Sequence, residues 1–153
     1  MESKNAETIS LLIKYGIPID TVNEYGQSPL YSAAAEGLYE ITELLIDNGA
    51  LIDKTADNGC TPLIIASCYN RVDVVLLLLK KGANIDAKTN SGANAFLHAL
   101  GNDNIDVIRV LIKQNIPFDL FDKQGKGIND YLQNIKDREI RESINNFLKD
   151  KII

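Results

Sequence analysis

Gly26, Gly59, Gly92 and Gly125 follow one another at a constant interval of 33 residues. Gly16, Gly49 and Gly82 keep the same step, and Asn115 takes the next place. Asp20, Asp53, Asp86 and Asp119 form a third column, and Leu12, Leu45, Leu78 and Leu111 a fourth. Ala33, Ala66 and Ala99 form a fifth. Several columns sharing one period mark a repeat array. A unit this short cannot bury its own apolar stripe, so neighbouring units must stack to make a core. A chain of 153 residues is long enough to build a continuous one.

The chemistry inside one period predicts the unit. Ser28-Pro29 and Thr61-Pro62 pair a hydroxyl N-cap with proline at the first helical position, where no donor is lost. Asn94-Ala95 does so without the proline, and Lys126-Gly127 is a weaker start. A short helix follows with small residues (Ala33, Ala34; Ala66, Ser67) that let neighbours approach closely. The next column, Gly37, Asn70 and Asp103, holds residue types tolerant of a left-handed backbone, which predicts a helix-ending turn.

A second helix is predicted from Ile41, Leu44, Leu45; Val74, Leu77, Leu78; and Val107, Val110, Leu111. It ends at Gly49, Gly82 or Asn115, and an extended stretch such as Ala50–Asp53 or Ala83–Asp86 leads to the next turn glycine. Each unit is helix, turn, helix, extended turn.

These residues resemble the ankyrin repeats. Gly26-Gln27-Ser28-Pro29-Leu30 and Gly59-Cys60-Thr61-Pro62-Leu63 look like that family's G-x-T-P-L opening, and Leu78–Asp86 (LLKKGANID) looks like its closing motif. The resemblance implies an all-α solenoid of stacked helix-turn-helix units joined by β-turn-like extended loops. It implies one domain over 1–153: an N-terminal half repeat at 5–22, full repeats at 23–55, 56–88 and 89–121, and a C-terminal capping repeat at 122–153. Two features depart from the pattern. Tyr31, Ile64 and Leu97 stand where the family has histidine, removing a hydrogen-bonding network between turns. Asn94-Ala95-Phe96 stands for Thr-Pro-Leu.

Terminal repeats must present a polar outside. Helices at about 128–134 and 138–150, with Lys136, Asp137, Arg138, Glu139, Arg141 and Glu142, suit the closing cap. At the start, Ala6–Tyr15 supplies only the second helix of a unit. Its polar Glu7 and Lys14, with Glu2, Lys4 and Asn5 before it, favour a solitary cap over an edge completed by another chain.

With 45% hydrophobic and 24% charged residues, the chain has a globular and not a disordered composition. The net charge of −5 argues against nucleic-acid binding. Residues 1–122 carry 16 Asp/Glu against 9 Lys/Arg, whereas residues 123–153 carry 5 against 7. The acids are dense from Glu24 to Asp53, with Glu36, Glu40, Glu43 and Asp47 between. They form either a solvated helix face or a surface that steers a basic partner. No secretory signal opens the sequence, and the longest apolar run, Val74–Leu79, is too short to span a bilayer. Two cysteines without an export signal fit a reduced cytoplasmic compartment, with secretion by a signal-less route left open.

Catalysis finds little support. His98 is the single histidine, and with Cys68 in the adjacent unit it offers a thiol-enzyme alternative that lacks an orienting third group and an oxyanion site. Cys60, Cys68 and His98 lack a fourth ligand and metal-type spacing. The glycines punctuate turns and form no phosphate-binding run. Neither metal nor cofactor is expected.

Binding is the expected use. The resemblance places ligands at the turn tips and on the exposed side of the first helices. It implies contact residues around each turn glycine: Glu24, Tyr25 and Gln27; Asp57, Asn58 and Cys60; Asn90, Ser91 and Ala93; Lys123, Gln124 and Lys126. The first-helix ends add Ala35 and Glu36, Cys68 and Tyr69, Gly101 and Asn102. These columns vary between units while the glycine, alanine and leucine columns hold. Tyr25 and Tyr69 are the expected hot spots, being large, rigid and polar-tipped; the alternative for Tyr69 is packing against neighbouring turns. Glu24, Glu36 and Asp57 would pair with cations and set on-rate and specificity more than affinity. The expectation is a monomeric, non-enzymatic module that holds a protein with a basic surface on a concave acidic face, in a narrower form as an inhibitor or immunity protein. A structural fragment completed by another chain is the third alternative.

Overall fold

The computed structural model describes residues 11, 14–16, 18–114, 116, 121–133 and 135–149. Within them the chain forms eight helices: α1 (Pro29–Glu36), α2 (Tyr39–Asp47), α3 (Pro62–Cys68), α4 (Val72–Lys80), α5 (Ala95–Gly101), α6 (Ile105–Ile112), α7 (Ile128–Leu132) and α8 (Arg138–Lys149). In the first three units each odd-numbered helix packs on the even-numbered helix that follows it. The first helices α1, α3, α5 and α7 pack side by side in one layer, and α2, α4, α6 and α8 make the second. None of these helices is long and apolar enough to cross a membrane.

The caps form as their residue types dictate. Ser28 Oγ accepts from the N–H of Tyr31, Thr61 Oγ1 from Ile64 and Asn94 Oδ1 from Leu97. Gly127 has no side chain to offer, so Asp130 reaches back instead, its Oδ2 accepting from the Gly127 N–H at 2.8 Å. The turn between the two helices of each unit is left-handed at Gly37, Asn70 and Asp103, with φ of 79°, 54° and 56°. Gly49 and Gly82 end the second helices with positive φ, while their counterpart Asn115 lies outside the described residues.

The repeating apolar columns become the core. Leu63, Ile64, Ala66, Val74, Val75, Leu78, Phe96, Leu97, Ala99, Leu100, Val107, Ile108 and Leu111 are buried, and Ile128, Leu132, Ile140 and Ile144 continue the core under the closing helices. Leu30, Ala33, Ile41, Leu45 and Ala50 form a neighbouring cluster in the first unit. Of the predicted second-helix stripe, Leu44 and Val110 are only half-buried and the others are buried.

Polar contacts register one unit on the next. The carboxylate of Asp20 accepts from the backbone N–H of Leu51, and that of Asp53 from Asn84 at 3.0 Å. Asp86 and Asp119 hold the same column, but Asp119 and the residues opposite Asp86 lie outside the described set. So does most of the predicted N-terminal helix Ala6–Tyr15. Of that segment Leu11, Lys14 and Tyr15 are described, all exposed, with the Tyr15 N–H donating to the Leu11 carbonyl.

Candidate protein-binding surface

Four hairpin tips form one edge of the stack. Each is closed by a backbone bond across five residues: Asn23 to Gln27, Ala56 to Cys60, Thr89 to Ala93 and Asp122 to Lys126. Consecutive tips are joined in turn, because the N–H of Asp57 donates to the Tyr25 carbonyl, that of Asn90 to Asn58 and that of Lys123 to Ser91. The Asn90 side chain adds a bond to the Asp57 carbonyl at 2.8 Å. These bonds fix the tips as a continuous row despite the loss of the family's histidine column.

Side chains from this row divide sharply. Glu24, Tyr25, Asp57, Asn58, Asn90, Ser91, Lys123, Gln124 and Lys126 are exposed, Tyr25 to 62%, and Gln27 is half-buried. Cys60 and Ala93 are not surface residues: they are 3% and 4% exposed. Their column, just before the N-cap, joins the apolar core of the stack, where Cys60 lies beside Tyr31 of the preceding unit. Gln27 and Lys126 hold the same column with longer, polar side chains and are half-buried and exposed, respectively.

Beside the first two tips runs a groove of about 400 Å³, lined by Gln27, Tyr31, Ser32, Ala35, Glu36, Ile65, Tyr69 and Arg71. It brings together Gln27, Ala35, Glu36 and Tyr69 from the expected set. Tyr69 is 57% exposed at the end of α3, and Cys68 before it is half-buried. Gly101 and Asn102 are exposed on α5 but lie away from this groove, as do the tips of the last two units.

Ser32, Ile65, Tyr31 and Arg71 were not expected in the site. For two of them a signal existed: Ser32, Ala35 and Glu36 fall at i, i+3 and i+4, one face of a helix, as do Ile65, Cys68 and Tyr69. Arg71 could not have been foreseen, because its Nε–H reaches the Ala35 carbonyl 36 residues back.

The shifted titratable groups of the groove and of the neighbouring units show no sign of activation for catalysis. Burial, and then the neighbouring Cys60, push the Tyr31 hydroxyl up to about 12. Burial likewise pushes Cys60 to about 12 and Cys68 to about 11, so both thiols are protonated near neutrality. Burial holds His98 below its ordinary value, and its Nε2 has no hydrogen-bond partner among the described residues. Burial also acts to raise the Asp122 carboxyl, but the Tyr131 hydroxyl and the N–H groups of Lys126 and Gln124 outweigh it and hold the group low. Among the described residues no three His, Cys, Asp or Glu gather as a metal site would require.

Comparison with known sequences agrees with this architecture. A family profile described as "Ankyrin repeats (3 copies)" matches residues 1–56, and one described as "Ankyrin repeat" matches residues 58–90. Among curated proteins none matches the chain at a significant level. The 33-residue period, the paired-helix stack and both profiles converge: the chain belongs to the ankyrin repeat family.

Proposed function

We propose that residues 1–153 act as one non-catalytic capture module, holding a protein partner across the hairpin tips and the α1–α3 groove. Ankyrin repeats are generally protein–protein interaction modules. The observation that carries the reading is the exposed Tyr69 ring in an open groove that Glu36 and Gln27 of the first tip also line, with Glu24, Tyr25 and Asp57 exposed on the first two tips. An aromatic anchor in a concavity with charges at its rim is the anatomy of a binding hot spot. The stack holds these groups rigidly, so little ordering entropy is lost on association. The acidic rim suits a partner with a basic surface segment, and occlusion of a basic toxin or enzyme is the narrower form of this function. Monomeric, cytoplasmic action completes the proposal.

The thiol-enzyme alternative fares poorly on chemistry. A nucleophilic cysteine needs a lowered pKa, and Cys68 has a raised one. Affinity capture with the wild type and a Tyr25→Ala/Tyr69→Ala double variant tests the main reading. The expected result is loss of the specifically captured protein from the variant. If everything captured by the wild type binds the variant equally, the surface is wrong. His98→Ala should leave capture unchanged.

A further inference from the structure

The tip row carries an ordered sequence of charge. At the position two residues before each tip glycine stand Glu24, Asp57, Asn90 and Lys123, all exposed and one period apart. Acid, acid, neutral and base therefore follow one another along the stack. The backbone bonds from Asp57 to Tyr25, Asn90 to Asn58 and Lys123 to Ser91 make these positions consecutive in space. Glu36, on the groove next to the first tips, strengthens the acidic end, and exposed Lys126 strengthens the basic one.

None of these five charged side chains enters an ion pair within the described residues, where the pairs are Lys81 with Asp47 and Arg138 with Glu142. Lys126 does feel the buried Asp122 carboxylate of its own tip, whose oxygens accept from the Tyr131 hydroxyl and the N–H groups of Gln124 and Lys126. Two cations interrupt the gradient little. Arg71 faces the groove with its Nε–H committed to the Ala35 carbonyl, and Lys54 is half-buried on the arm before the second tip. Lys88, exposed two residues before Asn90, lies on the basic side.

We infer that the row is built for an extended protein segment of segregated charge, with its Lys/Arg over the first two tips and its Asp/Glu over the closing tip. The inference rests on the capture reading above and deepens it: the partner segment is bipolar, and its direction along the stack is fixed. A uniformly basic segment would meet repulsion at Lys123 and Lys126. A segment laid in reverse would meet it at both ends, and such juxtaposition is what gives an interface its register. With units spaced at roughly 8–10 Å, as packed helices are, three steps need about eight residues at roughly 3.3 Å each. The basic and acidic groups of the partner segment should therefore stand that far apart.

The test is selection from a displayed library of random peptides of about 12 residues, long enough at roughly 3.3 Å per residue to span the row. The baits are the wild type, a charge-swapped variant (Glu24→Lys, Asp57→Lys, Lys123→Glu, Lys126→Glu) and Tyr69→Ala, each checked for wild-type helicity by circular dichroism. Wild-type selections should carry Lys/Arg and Asp/Glu at opposite ends in one dominant order, and the swapped variant should select the inverse order. Peptides from the wild type should bind the swapped variant roughly tenfold more weakly or worse. Their affinity for the wild type should also fall as salt is raised.

Unsegregated charges, or equal binding to the swapped variant, overturn the charge order. If such peptides still depend on Tyr69, the capture surface survives and only the charge order fails. Peptides indifferent to both changes would remove the surface as well. Failure to enrich any peptide would overturn the extended-segment occupant.

Discussion

The Nε–H of Arg71 donates to the carbonyl oxygen of Ala35 at 2.9 Å, tying the turn of one unit to the end of α1 in the unit before. One period later Asn104 does the same, its Nδ2 donating to the carbonyls of Ser67 and Cys68 at 2.7 Å each. In both cases the last-turn carbonyls of a first helix find a donor on the next unit, where the helix itself has none to give. Arg71→Ala and Asn104→Ala should each destabilise the protein by about 1–2 kcal/mol by leaving those carbonyls unpaired. Urea denaturation measures the loss. Two neutral variants would show that these contacts are incidental.

Asn70 tests the turn itself. Its φ of 54° is a left-handed conformation that a Cβ opposes. Asn70→Ala should cost about 1–2 kcal/mol. Asn70→Gly should be near neutral, because glycine reaches the same backbone without that penalty. Thermal melting of the two variants side by side would give the ordering.

Gly59 and Gly125 share a positive φ but differ in surroundings. A Cβ on Gly59 would stand 2.7 Å from the backbone nitrogen of Asn90, whereas one on Gly125 meets nothing within 4 Å among the described residues. Gly59→Ala should therefore be worse than Gly125→Ala by about 1–3 kcal/mol, the usual cost of overpacking. Equal losses would mean that the tips are not in contact.

The third unit carries an internal cost. Asn94 caps α5 through Oδ1, but its Nδ2 is buried with no partner among the described residues. Thr61 does the same task without a spare donor. Asn94→Thr should stabilise the protein by about 1 kcal/mol, since an unpaired buried donor carries a desolvation penalty of that order. The comparison is between chemical-denaturation midpoints of the variant and the wild type.

His98 gives the stack a pH dependence. Burial lowers its pKa in the folded state below the ordinary 6.5. Between the two values the unfolded chain binds a proton that the folded chain does not, so stability rises with pH in that window. Full stability is present above 6.5 and is lost as pH falls from there through the folded pKa. Replacing His98 with Gln should flatten the stability curve over that interval. An unchanged slope would assign the acid sensitivity to other groups.

Much of the fold was legible because it is local or periodic. The caps at Ser28, Thr61 and Asn94 act over three residues, and the turns at Gly37, Asn70 and Asp103 follow from residue type at one position. The site was legible only in outline. Tyr69 and the charged tips could be placed by analogy between units, whereas Cys60 and Ala93 looked like exposed turn residues and are covered. Their burial comes from packing into the core shared between units, as where Cys60 meets Tyr31, which the residues themselves do not encode.

By itself, then, the sequence determined the 33-residue unit, its helix starts and stops, and the necessity of stacking, since no unit can bury its own apolar stripe. The tertiary structure decided what lies between units. It set Asp53 on the backbone of Asn84, Arg71 on Ala35, and Ser32 and Ile65 into one groove with Tyr69. Each of these relations joins residues about one period apart. Its existence depends on the offset and rotation of one unit on the next, and those are settled by how the buried side chains of both units pack together.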